Sequence, residues 1–375
     1  MGSWESKTFM QCGAKITQAY DANLKQWDGF AVSMEEYANE IQLINIPPNR
    51  RANNSAPNSA GNSAPVTAYE QTQFRQLSGQ LSWLAQQCCP KLVAPLSLLM
   101  VETNCTTVDI LLRANKLARQ ALKWSSELLC IDSHKNPVTV GWSNGGWTTR
   151  KDGTSQLGYL VGIGDMELLQ GKESPVTIVS WHSSKTPRVA KSSSAVELQG
   201  IGEVDDEMTY VRLALYETLI GPIEIRKWPE YARRIPAAVV TDCRGVYDAL
   251  SRSASSCLGL KDKKSGLEAL AVKQSLINLK TALRWCHSFA QLADCMTKDD
   301  SKSRESYELF QKRKCRWKLV SDPSFTAAKK RVKLGLDTLD YVTKEESDHE
   351  MTVPQDQRSL LLPNNYCREV PLTIC

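Results

Sequence analysis

The spacing of apolar residues in the first third of the chain is that of helices. Between residues 69 and 126, Phe74, Leu77, Leu81 and Leu84 recur at intervals of three and four, and two further apolar runs follow. Such spacing places apolar side chains on one face of a helix. The pattern predicts a small helical region in three pieces, whose expected roles are packing and connection.

Further along, the apolar period becomes that of strands. Residues 138–142, 156–163 and 176–181 are short runs rich in strand-forming residues, separated by Gly, Asp and Ser. They predict an antiparallel meander of three strands. Residues 192–219 follow as a long helix whose Ser-rich start is suited to capping.

The remaining strands are predicted to alternate with helices. Residues 237–241, AAVVT, are typical of a central buried strand, and residues 282–286 form another. Residues 245–251 and 266–279 have helical patterns, and Leu292 begins a last helix. The fold class predicted is α/β: a mixed sheet of three antiparallel and then parallel strands, flanked by helices.

The N-terminal part of the chain is predicted to contain one helix and a linker. A helix is expected over residues 33–44 and is stopped by Pro47 and Pro48. Residues 49–65 are rich in Asn, Ser, Ala and Pro. Such a composition cannot bury an apolar face, so this stretch is predicted to be a flexible linker.

Charge and cysteine content narrow the function classes only slightly. The net charge of +5 permits a polyanionic partner without requiring one. The twelve cysteines include no C-x-x-C pair, and the four histidines do not fall at metal-ligand spacing with them, which argues against a zinc site. Free thiols are typical of a reducing compartment, so we expect an intracellular protein, in the cytoplasm or the nucleus.

No membrane partner is expected. The first residues lack the basic and apolar regions of a signal peptide. The most apolar window, residues 92–101, falls well short of the roughly 20 residues that span a bilayer.

A basic tract that contains an aromatic residue runs from Lys312 to Lys333. Lys312, Arg313 and the following cations could track a phosphate backbone, with Trp317 as a stacking surface. A solvated helix face next to a buried Trp317 explains the pattern at least as well. Beyond residue 341 the sequence predicts a poorly ordered tail.

Three acidic residues occupy special places in the pattern. Glu197 lies in the first turns of the long helix, Asp242 ends the run AAVVT, and Asp294 starts the last helix. A strand end and two helix starts can meet at one sheet edge, where α/β proteins place their sites. Taken singly, each acid is as well explained as a helix cap or a surface charge.

Carboxylates that share one sheet edge repel one another unless divalent cations neutralise them. Oxygen ligands alone favour Mg²⁺ or Mn²⁺ over zinc. Two such ions about 4 Å apart can activate a water and stabilise the leaving oxygen of a phosphodiester. The three acids together therefore predict a metal site suited to phosphodiester hydrolysis.

A family resemblance joins these features. Between residues 138 and 300 the chain resembles the ribonuclease H domain of copia-type retrotransposon polyproteins. The segments that carry the resemblance are GWSNGGW, TSQLGYLVG, IVSWHSSKTPRVAKSSSAVELQGI, VVTDCRGVYDAL and LRWCHSFAQLADCMTKDD. The resemblance implies a ribonuclease H-like fold. It also implies that the substrate is the RNA strand of an RNA/DNA hybrid, recognised by shape.

Upstream segments extend the resemblance. FMQCGAKI is similar to the end of the reverse transcriptase palm, and FRQLSGQLSWLAQQCCPKL to the segment that joins polymerase and nuclease. The implied units are a palm remnant, a linker, a helical connection region, the ribonuclease H-like domain, and a basic segment with a tail. They cover residues 1–48, 49–65, 66–130, 131–312 and 313–375.

The polymerase active site is not expected in this chain. No Tyr-x-Asp-Asp motif occurs in it, and the aspartate pair would lie before Met1. We therefore expect a truncated piece without polymerase activity, whose partners are nucleic acid and the rest of the polyprotein if the chain is part of a longer one.

The resemblance implies four metal-ligand positions, at Asn144, Glu197, Asp242 and Asp294. The family has an aspartate at the position of Asn144, where it bridges both ions, so this site is degenerate. The first acid of the family's Glu-x-Glu is replaced by Ala195, which matters less. Loss of one full negative charge should weaken Mg²⁺ or Mn²⁺ binding and remove several kcal/mol of transition-state stabilisation.

Three further residues have possible roles near this site. His287 could shuttle a proton for product release, although a partly buried structural histidine is the simpler interpretation. Lys185 and Ser192 could contact a phosphate through the start of the long helix, and capping by Ser192 is compatible with that role.

Two function classes follow from the sequence. The first is a ribonuclease H-like hydrolase, impaired by Asn144, that cleaves hybrids with three acids. The second is a catalytically silent nucleic-acid-binding remnant of a retroelement polyprotein. A decayed fragment without a selected role is a third possibility. The residue that discriminates between an active and a silent site is Asn144.

Overall fold

The computed structural model describes residues 7–21, 26–50, 64–103, 106–251 and 262–319. Within these residues the strands form one sheet of four strands and one of six. Across the same stretches, no helix combines the length and apolarity that a membrane span needs. Most of the expected linker, the C-terminal part of the basic tract and the expected tail lie outside the described residues.

The first sheet combines the N-terminal residues with one strand from beyond the helical region. β1 (Thr8–Gln11), β2 (Ala14–Asp21), β3 (Gln26–Ser33) and β4 (Leu129–Ile131) are antiparallel neighbours in that order. Strand β4, the last strand before the second sheet in sequence, therefore pairs with the N-terminal strands.

The helix predicted over residues 33–44 is much shorter in the structure. α1 (Glu35–Asn39) makes little more than one turn. Farther on, the Ile44 N–H donates to Asn115 Oδ1 at 2.8 Å, and Asn115 Nδ2 donates to the Ile44 carbonyl at 2.9 Å. The longer helix was a wrong prediction because these long-range bonds use the Ile44 backbone groups that a helix would pair locally.

The three helices predicted between residues 69 and 126 are confirmed as α2 (Ala68–Gln87), α3 (Pro90–Met100) and α4 (Val108–Trp124). A capping box starts α2: the Thr67 hydroxyl accepts from the Glu70 N–H, and the Glu70 carboxylate accepts from the Thr67 N–H. Their apolar faces join the inner side of the first sheet in one core, which includes the predicted residues Phe74, Leu77, Leu81 and Leu84.

The second sheet contains the strands predicted after residue 137. These five are β5 (Pro137–Gly146), β6 (Gln156–Asp165), β7 (Ser174–Lys185), β8 (Ala237–Thr241) and β9 (Thr281–Trp285). A sixth strand, β10 (Arg316–Trp317), was not predicted. Their spatial order is β10-β7-β6-β5-β8-β9. Strand β8 is parallel to both β5 and β9, and the other neighbours are antiparallel. The predicted α/β architecture with a mixed sheet is confirmed.

Helices flank this sheet, as predicted. They are α5 (Met166–Leu169), α6 (Ser193–Leu219), α7 (Trp228–Ala232), α8 (Arg244–Ser251), α9 (Lys263–Leu279) and α10 (Ser301–Lys312). Helices α6, α8 and α9 share one core with β8, in which Leu198 packs with Val239. Helix α10 contributes Tyr307 and Phe310 to a separate core that contains Trp142.

The last helix begins later than predicted. Residues Leu292–Met296 form a 3₁₀ turn, and α10 starts only at Ser301, after Asp300 caps it through the Ser303 N–H at 2.8 Å. Just before the turn, Gln291 Nε2 donates to the Ser143 carbonyl at 3.0 Å. This bond ties the turn to β5, so Asp294 lies in a 3₁₀ turn against the sheet.

Replacing Gly158 with Ala should destabilise the fold. A Cβ at this position would lie 2.5 Å from the Met296 carbonyl oxygen, and closer still to the Met296 Cβ, so backbone would have to shift. We expect Gly158→Ala to lower the free energy of unfolding by about 1–3 kcal/mol, measured by urea denaturation. The matched control is Gly79→Ala in α2, where a Cβ meets nothing within 4 Å. It should raise the free energy of unfolding by about 0.5–1 kcal/mol, and equal effects of the two changes would contradict this account.

Candidate functional site

Asn144 lies in β5, opposite Gly158 of β6, and its side chain is buried. Its Nδ2 donates to Asp294 Oδ1 at 2.5 Å and to Thr297 Oγ1 at 3.0 Å. Its Oδ1 accepts from the Gly145 N–H at 2.8 Å. Both ends of the amide are therefore engaged, and the bond to Asp294 joins the strand to the 3₁₀ turn.

Sheet register brings Asp242 to the same edge. Trp142 of β5 is paired with Val240 of the parallel strand β8, so Asn144 and Asp242 follow two residues later on their two strands. Asp242 comes directly after β8 and is half-buried. Its carbonyl accepts the Trp285 Nε1–H at 3.0 Å, which ties it to β9. The carboxyl ends of parallel strands thus place two predicted site residues side by side.

Glu197 reaches this edge because α6 packs closely on β5 at a glycine. A Cβ on Gly145 would lie 2.9 Å from the Glu197 backbone nitrogen and 2.8 Å from Val196 Cγ1. Only glycine leaves room for this approach. Glu197 is 7% exposed, and its Oε2 has no hydrogen-bond partner within the described part of the chain.

The three acids interact electrostatically. Burial raises the pKa of Glu197 well above its ordinary value, the Asp242 carboxylate raises this pKa further, and the Gly145 N–H opposes the rise. Burial also raises the pKa of Asp294 to about 6, with Lys298 lowering it and Asp242 raising it. The structure therefore places Glu197, Asp242 and Asp294 within electrostatic reach of one another. Their role as metal ligands stays a prediction.

Two groups from this chain face Asp294 where the resemblance implies a cation. One is the Asn144 amide, and the other is the Lys298 ammonium, whose Nζ lies 3.7 Å from Asp294 Oδ1. Among the described residues, no three His, Cys, Asp or Glu side chains are arranged to share a metal ion. A donor amide and an ammonium compete with a cation for the Asp294 oxygen, so the residues present do not fit a two-metal centre.

Thr297 and Lys298 were not identified from the sequence as site residues. Both lie in the segment LADCMTKDD, and Lys298 is four residues after Asp294. The available signal was that Thr297 and Lys298 follow Asp294 by three and four residues. Side chains at this spacing lie on the same side of a helical turn. What the spacing did not indicate is that Thr297 would accept a hydrogen bond from Asn144.

His287 lies between β9 and the 3₁₀ turn, and it is partly buried. Its Nδ1 accepts from the Phe289 N–H at 3.3 Å, and its ring lies 4.6 Å from the Phe289 ring, between centroids. This arrangement agrees with the structural interpretation of His287. Its use as a proton shuttle stays a prediction.

Lys185 and Ser192 lie at the edge that carries the acids. Lys185 ends β7 and is exposed, and it is paired with Gln156 at the start of β6. Ser192 caps α6, since its hydroxyl accepts from the Ala195 N–H at 3.2 Å. The capping role of Ser192 is confirmed, and phosphate contact by either residue stays a prediction.

Lys312 and Arg313 are exposed, but they lie at the other end of the second sheet. They precede β10, whose Arg316 pairs with Pro175 at the start of β7. Lys185, at the site edge, is ten residues further along that strand, a distance of about 30 Å at about 3.3 Å per residue. Nucleic acid bound by Lys312 and Arg313 would therefore be remote from the acids.

Trp317 is not available as a stacking surface. It is buried, its Nε1 donates to the Ala290 carbonyl at 3.0 Å, and its ring meets Trp142 edge-on with 5.0 Å between centroids. The stacking prediction was wrong because this ring fills the core between the sheet and α10. The alternative, a buried Trp317 beside exposed cations, describes the structure.

A solved structure resembles part of this chain at low identity. It is the foamy viral protease-reverse transcriptase in complex with an RNA/DNA hybrid, with 13% identity and a TM-score of 0.29. The match covers 46% of this chain and 20% of that chain, so it spans about a fifth of the viral protein. A TM-score this low does not establish a shared fold. No family model and no curated protein matches the sequence.

Stability should fall as the pH rises through the range in which the site acids ionise. The pKa of Asp294 is raised to about 6 in the folded chain, from its ordinary value of 3.8. Between these values the folded state holds a proton that the unfolded state has lost. This contribution to stability is complete below about pH 4 and is lost as the pH rises through about 6.

Urea denaturation from pH 4.5 to 7.5 tests this effect. Asp294 should account for a loss of at most about 1.4 kcal/mol per pH unit within its window, and Asp294→Asn should flatten the curve there. If the free energy of unfolding of Asp294→Asn falls equally steeply with pH, a group other than Asp294 is responsible for the pH dependence. Asp299→Asn, which changes an exposed carboxylate nearby, is the matched control.

Proposed function

We propose that this chain is a ribonuclease H-like nucleic-acid-binding module of the copia-type retrotransposon kind, in which Asn144 has silenced hydrolysis. The observation that carries the proposal is the pairing of Asn144 Nδ2 with Asp294 Oδ1 at 2.5 Å. An aspartate at this position would add a fourth negative charge and would require cations. Asparagine instead supplies the donor that the neighbouring carboxylate needs.

The placement of the acids supports the ribonuclease H-like part of the proposal. Glu197, Asp242 and Asp294 come from a helix start, a strand end and a turn, and they converge on the carboxyl end of parallel strand β8. A cluster of partly buried carboxylates is costly for a structure that has no use for it. Such a cluster is understandable in a fold built for metal-aided phosphodiester hydrolysis.

Binding of nucleic acid is supported by the surroundings of the acids. Lys185 is exposed at this edge, and the start of α6 directs backbone N–H groups towards the same region. Positive groups beside a silent site can still hold phosphates. The proposed ligand is an RNA/DNA hybrid, recognised by backbone shape and 2′-hydroxyl groups.

A second candidate is an active hydrolase that works with three acids and Mg²⁺ or Mn²⁺. The observation in its favour is Glu197 Oε2, which is buried without a hydrogen-bond partner in the described part of the chain. A cation at Glu197 would supply that partner and would lower the pKa of this carboxyl, which burial raises. The two candidates differ in whether the unaltered chain cleaves.

Cleavage of a labelled RNA/DNA hybrid in Mg²⁺ or Mn²⁺ separates the candidates. We expect no cleavage by the unaltered chain and cleavage by Asn144→Asp, with a gain of about a hundredfold or more over the detection limit. Cleavage by the unaltered chain that is lost in Asp242→Asn would establish the three-acid hydrolase instead.

Three controls make this experiment decisive. Asn144→Ser removes the amide without adding a charge and should stay inactive. Adding Asp242→Asn to Asn144→Asp should abolish the restored cleavage. Circular dichroism should show that each variant is folded, and a folded but inactive Asn144→Asp would mean that Asn144 does not occupy the ligand position.

Lys185 should contribute one phosphate contact to hybrid binding. Loss of one such contact lowers affinity about three- to tenfold at low salt and reduces the slope of log K against log salt concentration by about 1. Lys185→Ala should show both effects in a fluorescence anisotropy titration. Lys172→Ala, an exposed lysine before the opposite end of β7, is the matched control and should change neither. Equal effects of the two variants would argue against binding at the acidic edge.

A further inference from the structure

Two cysteines from distant parts of the sequence meet beside β7. Cys130 lies in β4 of the first sheet, and Cys315 immediately precedes β10 of the second. The Val176 N–H donates to the Cys315 carbonyl at 2.8 Å, and the Asp132 N–H donates to Thr177 Oγ1 at 2.8 Å. Val176 and Thr177 are adjacent residues of β7, so this one strand binds the backbone of Cys315 and the backbone just after Cys130. Both cysteines belong to the same apolar cluster.

The two side chains share one apolar cluster, in which Cys315 is buried and Cys130 packs against its members. The neighbouring Cys315 thiol lowers the pKa of Cys130 to about 7, whereas hydrogen bonding with Cys130 and burial raise the pKa of Cys315. Cys130 is half-buried, and both residues are free thiols.

Other described cysteines have a different chemistry. Burial raises the pKa of each of Cys88, Cys89, Cys243, Cys286 and Cys295. Their thiols therefore stay protonated at neutral pH and react slowly. The thiolate is the reactive form of cysteine, so Cys130 is set apart from these five by its partner and its exposure.

We propose that Cys130 and Cys315 form a thiol pair that peroxide oxidises reversibly to a disulfide, which clamps the first sheet to the β10 edge of the second. Nothing in the sequence pattern separated these residues from the other ten cysteines. The proposal does not depend on the proposed function.

The chemistry requires one equivalent of hydrogen peroxide. The Cys130 thiolate attacks one peroxide oxygen, so that an S–O bond forms, the O–O bond breaks, and the leaving oxygen departs as water after taking a proton. Cys130 is then a sulfenic acid. The Cys315 sulfur attacks the sulfenic sulfur, the S–S bond forms, the S–O bond breaks, and a second water leaves with the Cys315 proton. The two thiols lose two electrons in total, and the peroxide gains them.

The disulfide would close a long loop. It would enclose residues 131–314, which contain almost all of the second sheet and its helices. Closing a loop of this length removes conformational entropy mainly from the unfolded chain, so the oxidised form should resist urea better than the reduced form.

The test uses the full chain, folded and fully reduced at pH 7.5, with a small excess of hydrogen peroxide. Free thiols are then blocked with iodoacetamide, and peptides are mapped without reduction by mass spectrometry. The expected main product is a linked pair of peptides that contain Cys130 and Cys315, which dithiothreitol reverses. The urea midpoint of the oxidised chain should be higher than that of the reduced chain.

Variants assign the reaction to this pair. Cys130→Ser and Cys315→Ser should each abolish the linked peptide and the rise in urea midpoint. Cys12→Ser, which removes an exposed thiol of the first sheet, should leave both unchanged. In Cys315→Ser, Cys130 should still be trapped as a sulfenic acid by dimedone. The proposal is overturned if Cys130 stays reduced while other thiols oxidise, or if the main disulfide joins a different pair.

Discussion

Repulsion among carboxylates at one sheet edge is the constraint to which the surrounding residues respond. Burial raises the pKa of Glu197 and of Asp294, and the nearby Asp242 carboxylate raises both values further. The chain relieves this in three ways: an amide donor from Asn144, an ammonium from Lys298, and raised pKa values that favour protonation. The present site is therefore stabilised by hydrogen bonds and protons of its own.

Close backbone approach makes this arrangement possible. Gly145 lets α6 bring Glu197 against β5, and Gly158 lets the 3₁₀ turn bring Asp294 against β6. The helical region also contacts this edge of the second sheet, through α3. Gln156 donates to Ser97 of α3 and to Ser183 of β7, and Ser183 in turn donates to the Met296 carbonyl. The position of Asp294 thus depends on contacts that start in a separate part of the sequence.

Much of the site could be predicted because its residues follow strongly patterned elements. The run AAVVT is β8, residue for residue, and its end fixes Asp242 at a sheet edge. The Ser-rich start of the long helix is the α6 cap, which fixes Glu197. The hydrogen-bond partner of Asn144 could not be predicted, because Asp294 lies 150 residues away and no local pattern encodes that contact.

The sequence by itself determined most helices and strands between residues 68 and 285, the mixed sheet, and the strand end and helix start that carry Asp242 and Glu197, because apolar period and capping residues act locally. It did not predict the strands of the first sheet. Tertiary structure alone decided the rest. It buried Trp317 against Trp142, paired the Ile44 backbone with Asn115, placed Lys312 far from the acids, and brought Cys130 and Cys315 into one apolar cluster. Each of these outcomes depends on which surfaces meet when distant segments pack, and that is set by the packing of the whole chain.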